Sequence, residues 1–318
     1  LNHEGQARSA AGAAIRNLGA FSFKGLMMSH SNGSHAGGDG DSAATARFFD
    51  VRVLRQDGPE QPSYWQRHRV QLEPDMNVTS VLQRIAAKAH TSDGEPVAPV
   101  AYESNCLEEV CGSCTMLING RTRQACSALV EKLLAEQPDE IELRPMSKFP
   151  VLRDLLVNRR RLFRALERVE AWIPVDGYYD AGPGPRQSAE QQEQAYPLMQ
   201  CMSCGCCLEA CPQYGKVELA RHAGESDEAL LARERAAYDA NFVGAHAISQ
   251  TIFYNSHPTG ALNAGERLDA LMEQGGIQNC GNAQNCVAVC PKAIPLTTSI
   301  ARAGRATTVR VIKRWFDQ

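Results

Sequence analysis

Twelve cysteines in 318 residues are the part of this chain that could do chemistry. They are too sparse for a disulfide scaffold and too clustered to be scattered core residues. The first group is Cys106, Cys111, Cys114 and the more distant Cys126. Cys-x4-Cys-x2-Cys followed by a remote cysteine is the plant-type spacing for a 2Fe–2S cluster. Three thiolates in one loop must wrap a two-iron core while backbone amides donate to its sulfides. Gly112 gives that loop its close approach and its unusual dihedrals. The competing reading is a structural zinc site of four cysteines. Such sites usually present two separated Cys-x2-Cys knuckles, and the second knuckle is missing here.

The second group reads Cys201-Met-Ser-Cys204-Gly-Cys206-Cys207-Leu-Glu-Ala-Cys211-Pro212. Within it lies Cys-x2-Cys-x2-Cys-x3-Cys-Pro, a run whose first three cysteines hold one cluster and whose fourth holds another. The third group, Cys280 to Pro291, repeats the spacing with Ala283 where the middle cysteine would stand. The exchange rule then joins Cys201, Cys204 and Cys207 with Cys290 around a full 4Fe–4S cube. It joins Cys280 and Cys286 with Cys211 around a centre that lacks one thiolate. Alanine cannot ligate iron, so the expected centre is 3Fe–4S; its rival is a labile 4Fe–4S centre with a non-cysteine fourth ligand. Eleven cysteines are thereby assigned. Cys206 is left over, and a lone cysteine beside a cluster loop reads as a small buried apolar residue. Pro212 and Pro291 stop the local helical turn and remove backbone donors.

The elements that must position these groups are legible in outline. Phe48 to Leu54 and Arg69 to Leu72 read as strands. Asn77 or Thr79 caps a helix to about His90, with Val78, Val81, Leu82, Ile85 and Ala89 on one face. Thr115 to Ile118 and Arg121 to Ala125 form a hairpin across Asn119-Gly120, and Asp139 to Leu143 supplies a last strand. Helices are expected over Val151–Ala171, Glu225–Phe242, Ala261–Gln274 and Leu296 to about Val311. The fold class is therefore α+β. Residues 46–150 form a β-grasp domain of the plant-type ferredoxin kind, and residues 151–318 an all-helical domain of the bacterial ferredoxin kind. Residues 1–45, rich in Gly, Ala and Ser, are expected to be disordered. Translation is expected to begin at Met28, upstream residues being an over-extended reading frame.

Other chemistries are excluded or unsupported. Lys and Arg total 33 against 36 acids, a net charge of −3, which gives no basis for nucleic-acid binding. No apolar run reaches the length of a membrane span. No Gly-rich dinucleotide fingerprint follows a strand, and no Ser/His/Asp arrangement is defensible, so no catalytic residue is assigned. His222, His246 and His257 read as isolated structural histidines. Arg153, Arg159, Arg160, Arg161, Arg164 and Arg168 read as a solvated basic face. The chain is a conductor that needs an electron donor and an acceptor.

The runs CLEEVCGSCTMLINGRTRQAC, CMSCGCCLEACP and CGNAQNCVAVCPKAIPLTTSIA, with the segment NSHPTGALNAGERLDALMEQGGIQ, closely resemble the iron–sulfur subunit of succinate dehydrogenase and fumarate reductase. The resemblance covers roughly residues 47–310 and is nearest the menaquinone-linked bacterial type that pairs with a dihaem cytochrome b. It implies a flavoprotein subunit with covalent FAD that oxidises succinate. Electrons would pass through the 2Fe–2S, 4Fe–4S and 3Fe–4S centres to quinone or haem in a membrane anchor. The assembly would sit on the cytoplasmic face of a bacterial inner membrane, with this chain peripheral to it. Two positions depart from ubiquinone-type relatives. Gln213, Tyr214, Gly215 and Lys216 follow Pro212 where those relatives place tryptophans, and Gly281 stands where they place a histidine. Rivals are a fumarate reductase running in reverse, or a subunit of another flavin oxidoreductase, such as a glycolate or glycerol-3-phosphate oxidase. Those oxidases generally lack the Cys106–Cys126 loop.

Overall fold

The alternation of apolar and polar residues from Phe48 onward dictates a strand with one buried face, and the computed structural model builds on it. The structure describes residues 46–173, 186–217 and 219–316; the expectations for residues 1–45, including a start at Met28, lie outside them. Strand β1 (Phe48–Arg55) turns Phe49, Val51 and Val53 inward and pairs antiparallel with β2 (Tyr64–Gln71). Helix α1 (Val78–Lys88) follows, capped by the Asn77 side chain, which accepts from the Ser80 amide at 2.9 Å. Its Val78, Val81, Leu82 and Ile85 are buried, each contributing on the order of 1.5–3 kcal/mol of hydrophobic stabilisation. After the first cysteine loop come β3 (Thr115–Ile118) and β4 (Arg121–Gln124). Their turn has φ of 49° at Asn119 and 72° at Gly120, the two positive values that an Asn-Gly hairpin supplies. Helix α2 (Val130–Glu136), absent from the sequence expectation, leads to β5 (Glu140–Arg144). The sheet order is β2-β1-β5-β3-β4, with β5 parallel to β1 in the centre. The expected sheet around α1 forms, with α2 added to it.

The helix expected from Val151 starts nine residues later. Residues 151–157 form a small hairpin, β6 (Val151–Arg153) and β7 (Leu156–Val157), and helix α3 covers Arg160–Arg168. The reason is Asp154. It is fully buried with φ of 48°, and its carboxylate takes Arg55 Nε at 2.8 Å and Nη2 at 3.1 Å. It also accepts the Ala101 amide at 2.8 Å and the Gln56 amide at 3.2 Å. This buried pair ties β1, the segment before the first cysteine loop and the β6–β7 turn together, and it outweighs helix periodicity.

The rest is helical. Helix α4 (Ala189–Met199) opens on a Ser188–Gln191 capping box, and α5 (Cys206–Glu209) is a single turn. Helix α6 (Asp227–Ala240) is capped by Ser226, and α7 (Gly244–Ser256) runs through the interior. A 3-10 turn (Gly260–Asn263), α8 (Ala264–Met272), a second 3-10 turn (Ile277–Asn279), α9 (Asn285–Ala288) and α10 (Leu296–Phe316) complete the chain. Among the described residues no helix is long and apolar enough to cross a membrane.

The expected solvated basic face holds only in part: Arg153 and Arg160 are exposed, while Arg159, Arg161, Arg164 and Arg168 are engaged with other segments. Arg161 is buried with its guanidinium 3.6 Å from the Tyr214 ring centroid and donates to the Gly215 carbonyl. Arg164 clasps Asp239 through two bonds of 2.8 and 2.7 Å, Arg168 donates to the Asp239 carbonyl at 2.7 Å, and Arg160 reaches Glu234 at 3.2 Å. Arg161, Arg164 and Arg168 pack here against the segment after Pro212 and against α6, while Arg160 reaches Glu234 from a largely solvated position.

Asp154→Asn removes one partner of a buried ion pair and leaves Arg55 uncompensated. It is expected to cost about 3–5 kcal/mol, read as a lowered thermal midpoint of the purified protein.

Candidate iron–sulfur sites

The first site is a loop without regular structure, held open by left-handed backbone. Leu107, Glu109 and Gly112 have φ of 62°, 58° and 72°. These dihedrals turn amides inward: the Val110 amide lies 3.4 Å from Cys106 Sγ and the Ser113 amide 3.5 Å from Cys111 Sγ. Cys114 ends the loop just before β3, and Cys126 lies two residues after β4, so the β3–β4 hairpin brings the remote cysteine to the loop. Cys114 and Cys126 are buried, while Cys106 and Cys111 are half-buried. Burial beside Cys114 pushes the Cys126 thiol up to about 12. Leu107 and Val110 form an exposed apolar rim, 52% and 50% accessible.

The second and third groups fold as a repeat. Ser203 and Asn282 occupy matching positions with φ of 50° and 51°; Gly205 and Gln284 match with 85° and 62°. Each left-handed turn launches a one-turn helix, α5 in one copy and α9 in the other. The two turns pack together, and each copy's last cysteine reaches the other copy's hollow. Cys201, Cys204, Cys207 and Cys290 line one hollow. Cys211, Cys280 and Cys286 line another, with Ala283 at the position matching Cys204. Complete burial raises the Cys207 thiol well above its ordinary range, and the neighbouring Cys201, Cys206 and Cys290 add to this. A thiolate in such a place needs positive charge in the same space. Iron supplies it, so the donor set fits clusters. No disulfide competes, because all twelve cysteines are free.

Two features escaped the sequence reading. Helix α7 runs between the hollows, contributing Ala245 to the wall of one and His246 to the other. It is buried on every side and so shows no amphipathic period. His246 behaves as the structural histidine expected: its Nε2 meets the Leu162 carbonyl at 3.2 Å, and burial pulls its pKa down to about 4. The leftover Cys206 is fully buried, as expected, yet it is not apolar in its contacts. Gln124 Nε2 lies 3.2 Å from its sulfur, linking β4 to α5.

Comparison with known proteins gives these sites a family. Residues 50–164 match the 2Fe–2S iron–sulfur cluster binding domain family, and residues 197–294 match the 4Fe–4S dicluster domain family. The succinate dehydrogenase iron–sulfur subunit of Bacillus subtilis is 44% identical over 272 residues, spanning 86% of this chain and 96% of the relative. The chain belongs to the succinate dehydrogenase iron–sulfur subunit family. The fumarate reductase iron–sulfur subunit of Wolinella succinogenes is more distant, 26% identical over 80% of this chain and 95% of its own length. A chain of the Mycobacterium smegmatis Sdh1 complex shares the fold, with a TM-score of 0.62 at 21% identity over 84% of this chain and 98% of that one. The α+β class, the family resemblance and the expectation of 2Fe–2S and 4Fe–4S clusters are thus borne out.

Metal binding of this kind is folding energy. Stripping iron with a chelator under reducing conditions is expected to lower the helical circular-dichroism signal and to make all twelve thiols titratable. Retention of native helicity would show that the hollows stand without metal.

Proposed function

We propose that this chain is the electron-transfer subunit of a succinate dehydrogenase and that eleven cysteines divide among three clusters. Cys106, Cys111, Cys114 and Cys126 hold the 2Fe–2S cluster; Cys201, Cys204, Cys207 and Cys290 hold the 4Fe–4S cluster; Cys211, Cys280 and Cys286 hold a 3Fe–4S cluster. Bound there, the clusters supply one-electron exchange; the polypeptide supplies spacing, exclusion of water and docking. The observation that carries the reading is the adjacency of the three thiol groups. Gly112 of the first loop is in contact with Cys204 of the second group, and the second and third groups share α5, α7 and α9. Single electrons have a continuous path through an otherwise inert chain.

The partners follow from the two ends of that path. A flavoprotein subunit carrying FAD docks at the first loop, where Cys106 and Cys111 are half-exposed and Leu107 and Val110 give an apolar rim. A membrane anchor takes electrons at the third group, so the chain lies peripheral to the membrane, on the cytoplasmic face of a bacterial inner membrane. The anchor is a cytochrome b and the final acceptor menaquinone. What supports haem, or a quinone held mostly by the anchor, is the wall of the hollow lined by Cys211, Cys280 and Cys286. Gln213 packs against Gly281, where a Cβ would lie 2.6 Å from its Nε2. Tyr214 turns away to stack on Arg161, so no aromatic wall from this segment faces the hollow. Succinate oxidation is favoured over fumarate reduction by the 44% against 26% identity of the respective relatives.

Two experiments test the reading. Metal analysis of the purified complex is expected to give about nine irons per chain, with a 3Fe–4S paramagnetic signal in the oxidised state; Ala283→Cys is expected to add one iron and abolish that signal. Succinate is expected to reduce haem in the purified complex without added quinone, followed by visible spectroscopy. Absence of any haem reduction overturns the proposed exit route.

A further inference from the structure

The junction between the first and second cysteine groups has an exact fit that no cluster ligand accounts for. Gly112 lies between Cys111 and Cys114, and a Cβ placed on it would sit 2.6 Å from Cys204 Cα and 2.7 Å from Cys204 Cβ. These distances are far inside van der Waals contact, so only glycine lets the first loop come this close to a residue of the second group. The same peptide is gripped from behind. Arg159 Nη1 donates to the Gly112 carbonyl at 2.7 Å and Nη2 donates to the Ser113 carbonyl at 2.6 Å. Its side chain is 14% exposed, and its only acidic neighbour among the described residues, Glu103, is 3.8 Å away and half-exposed. A rigid guanidinium spread over two successive carbonyls fixes a loop more firmly than a point charge does.

Arg159 itself cannot drift, because it opens a helix tied to the frame of the second and third groups. Arg161 is clamped under Tyr214, three residues after Cys211, and the Leu162 carbonyl holds His246 in the wall of the hollow lined by Cys201, Cys204, Cys207 and Cys290. A parallel tie runs from β4, where Gln124 Nε2 bonds both Thr115 Oγ1 at 3.0 Å and Cys206 Sγ at 3.2 Å. The loop is therefore pressed against Cys204 from one side and held by Arg159 from the other.

We propose that Arg159 and Gly112 act as a positioning pair that sets the gap between the first two clusters. The inference rests on the cluster assignment above and deepens it. Electron tunnelling falls exponentially with the separation of donor and acceptor, so a small slackening of this loop slows transfer without removing any ligand. Arg159 touches no reacting atom; it acts through the Gly112–Ser113 backbone.

The test uses the intact complex and reads magnetic coupling as well as turnover. In the fully reduced wild type, a neighbouring paramagnetic 4Fe–4S cluster is expected to speed relaxation of the 2Fe–2S signal. Arg159→Gln is expected to keep the wild-type iron content while the power needed to half-saturate the 2Fe–2S signal falls several-fold and succinate-driven turnover drops with it. Arg159→Lys, which reaches one carbonyl, is expected to lie between. Gly112→Ala is expected to weaken the coupling in the same direction. Full iron content with unchanged relaxation in Arg159→Gln overturns the proposal. If that variant loses iron, unchanged relaxation in an iron-replete Arg159→Lys overturns it instead. Absence of iron from the wild type overturns the cluster assignment itself, a result distinct from either.

Discussion

Crowding several thiolates into one buried place is unfavourable unless positive charge shares the space, and the helical half of this protein is organised around that requirement. Cys207 is buried, with Cys201 and Cys290 for neighbours. Its thiolate form is tolerable there only with positive charge beside it. The local backbone follows suit. Left-handed residues at matching positions, Ser203 with Asn282 and Gly205 with Gln284, turn the chain into the one-turn helices α5 and α9. Prolines then end those turns. None of these features has a value as generic packing; together they make a wall around iron and sulfide.

The two halves are joined by polar ties more than by a shared apolar core. Arg55 and Asp154 fasten the sheet to the β6–β7 turn, and Glu209 of α5 accepts the Ser147 amide at 2.9 Å and the Lys148 amide at 3.2 Å. Arg159 and Gln124 add their bonds to the first loop and to Cys206. Buried polar ties of this kind have directional geometry, which apolar contact lacks. A protein that must keep inorganic centres at fixed separations gains from such geometry more than from additional buried area.

Much of this was legible from the residues. Alternation in β1, the Asn77 cap of α1 and the Asn-Gly hairpin are local signals, and local signals survive folding. The grouping of the cysteines follows from spacing, because ligand spacing is a property of the cluster and not of the fold. The failures have physical reasons too. Residues 151–157 carry leucines at helical spacing, but the buried pair of Asp154 with Arg55, ninety-nine positions away in sequence, is invisible locally. The arginines of α3 read as a wet face because charge is normally solvated; their partners Tyr214, Glu234 and Asp239 belong to distant segments. Helix α7 lacks a polar side, since it is enclosed by the walls it separates.

The interchange of cysteines between the two copies of the repeat bears on how the protein is born. The hollow framed by Cys201, Cys204 and Cys207 is closed by Cys290, which is synthesised well after them. The neighbouring hollow needs Cys211 from the early copy and Cys280 and Cys286 from the late one. Neither hollow is complete on a nascent chain that has not yet reached the segment from Cys280 to Cys290. The strands around the first loop, by contrast, all precede Cys201. Topology therefore imposes an order on the chain: the residues around the first loop can meet early, while the two hollows of the second and third groups are completed by the same late segment and close together.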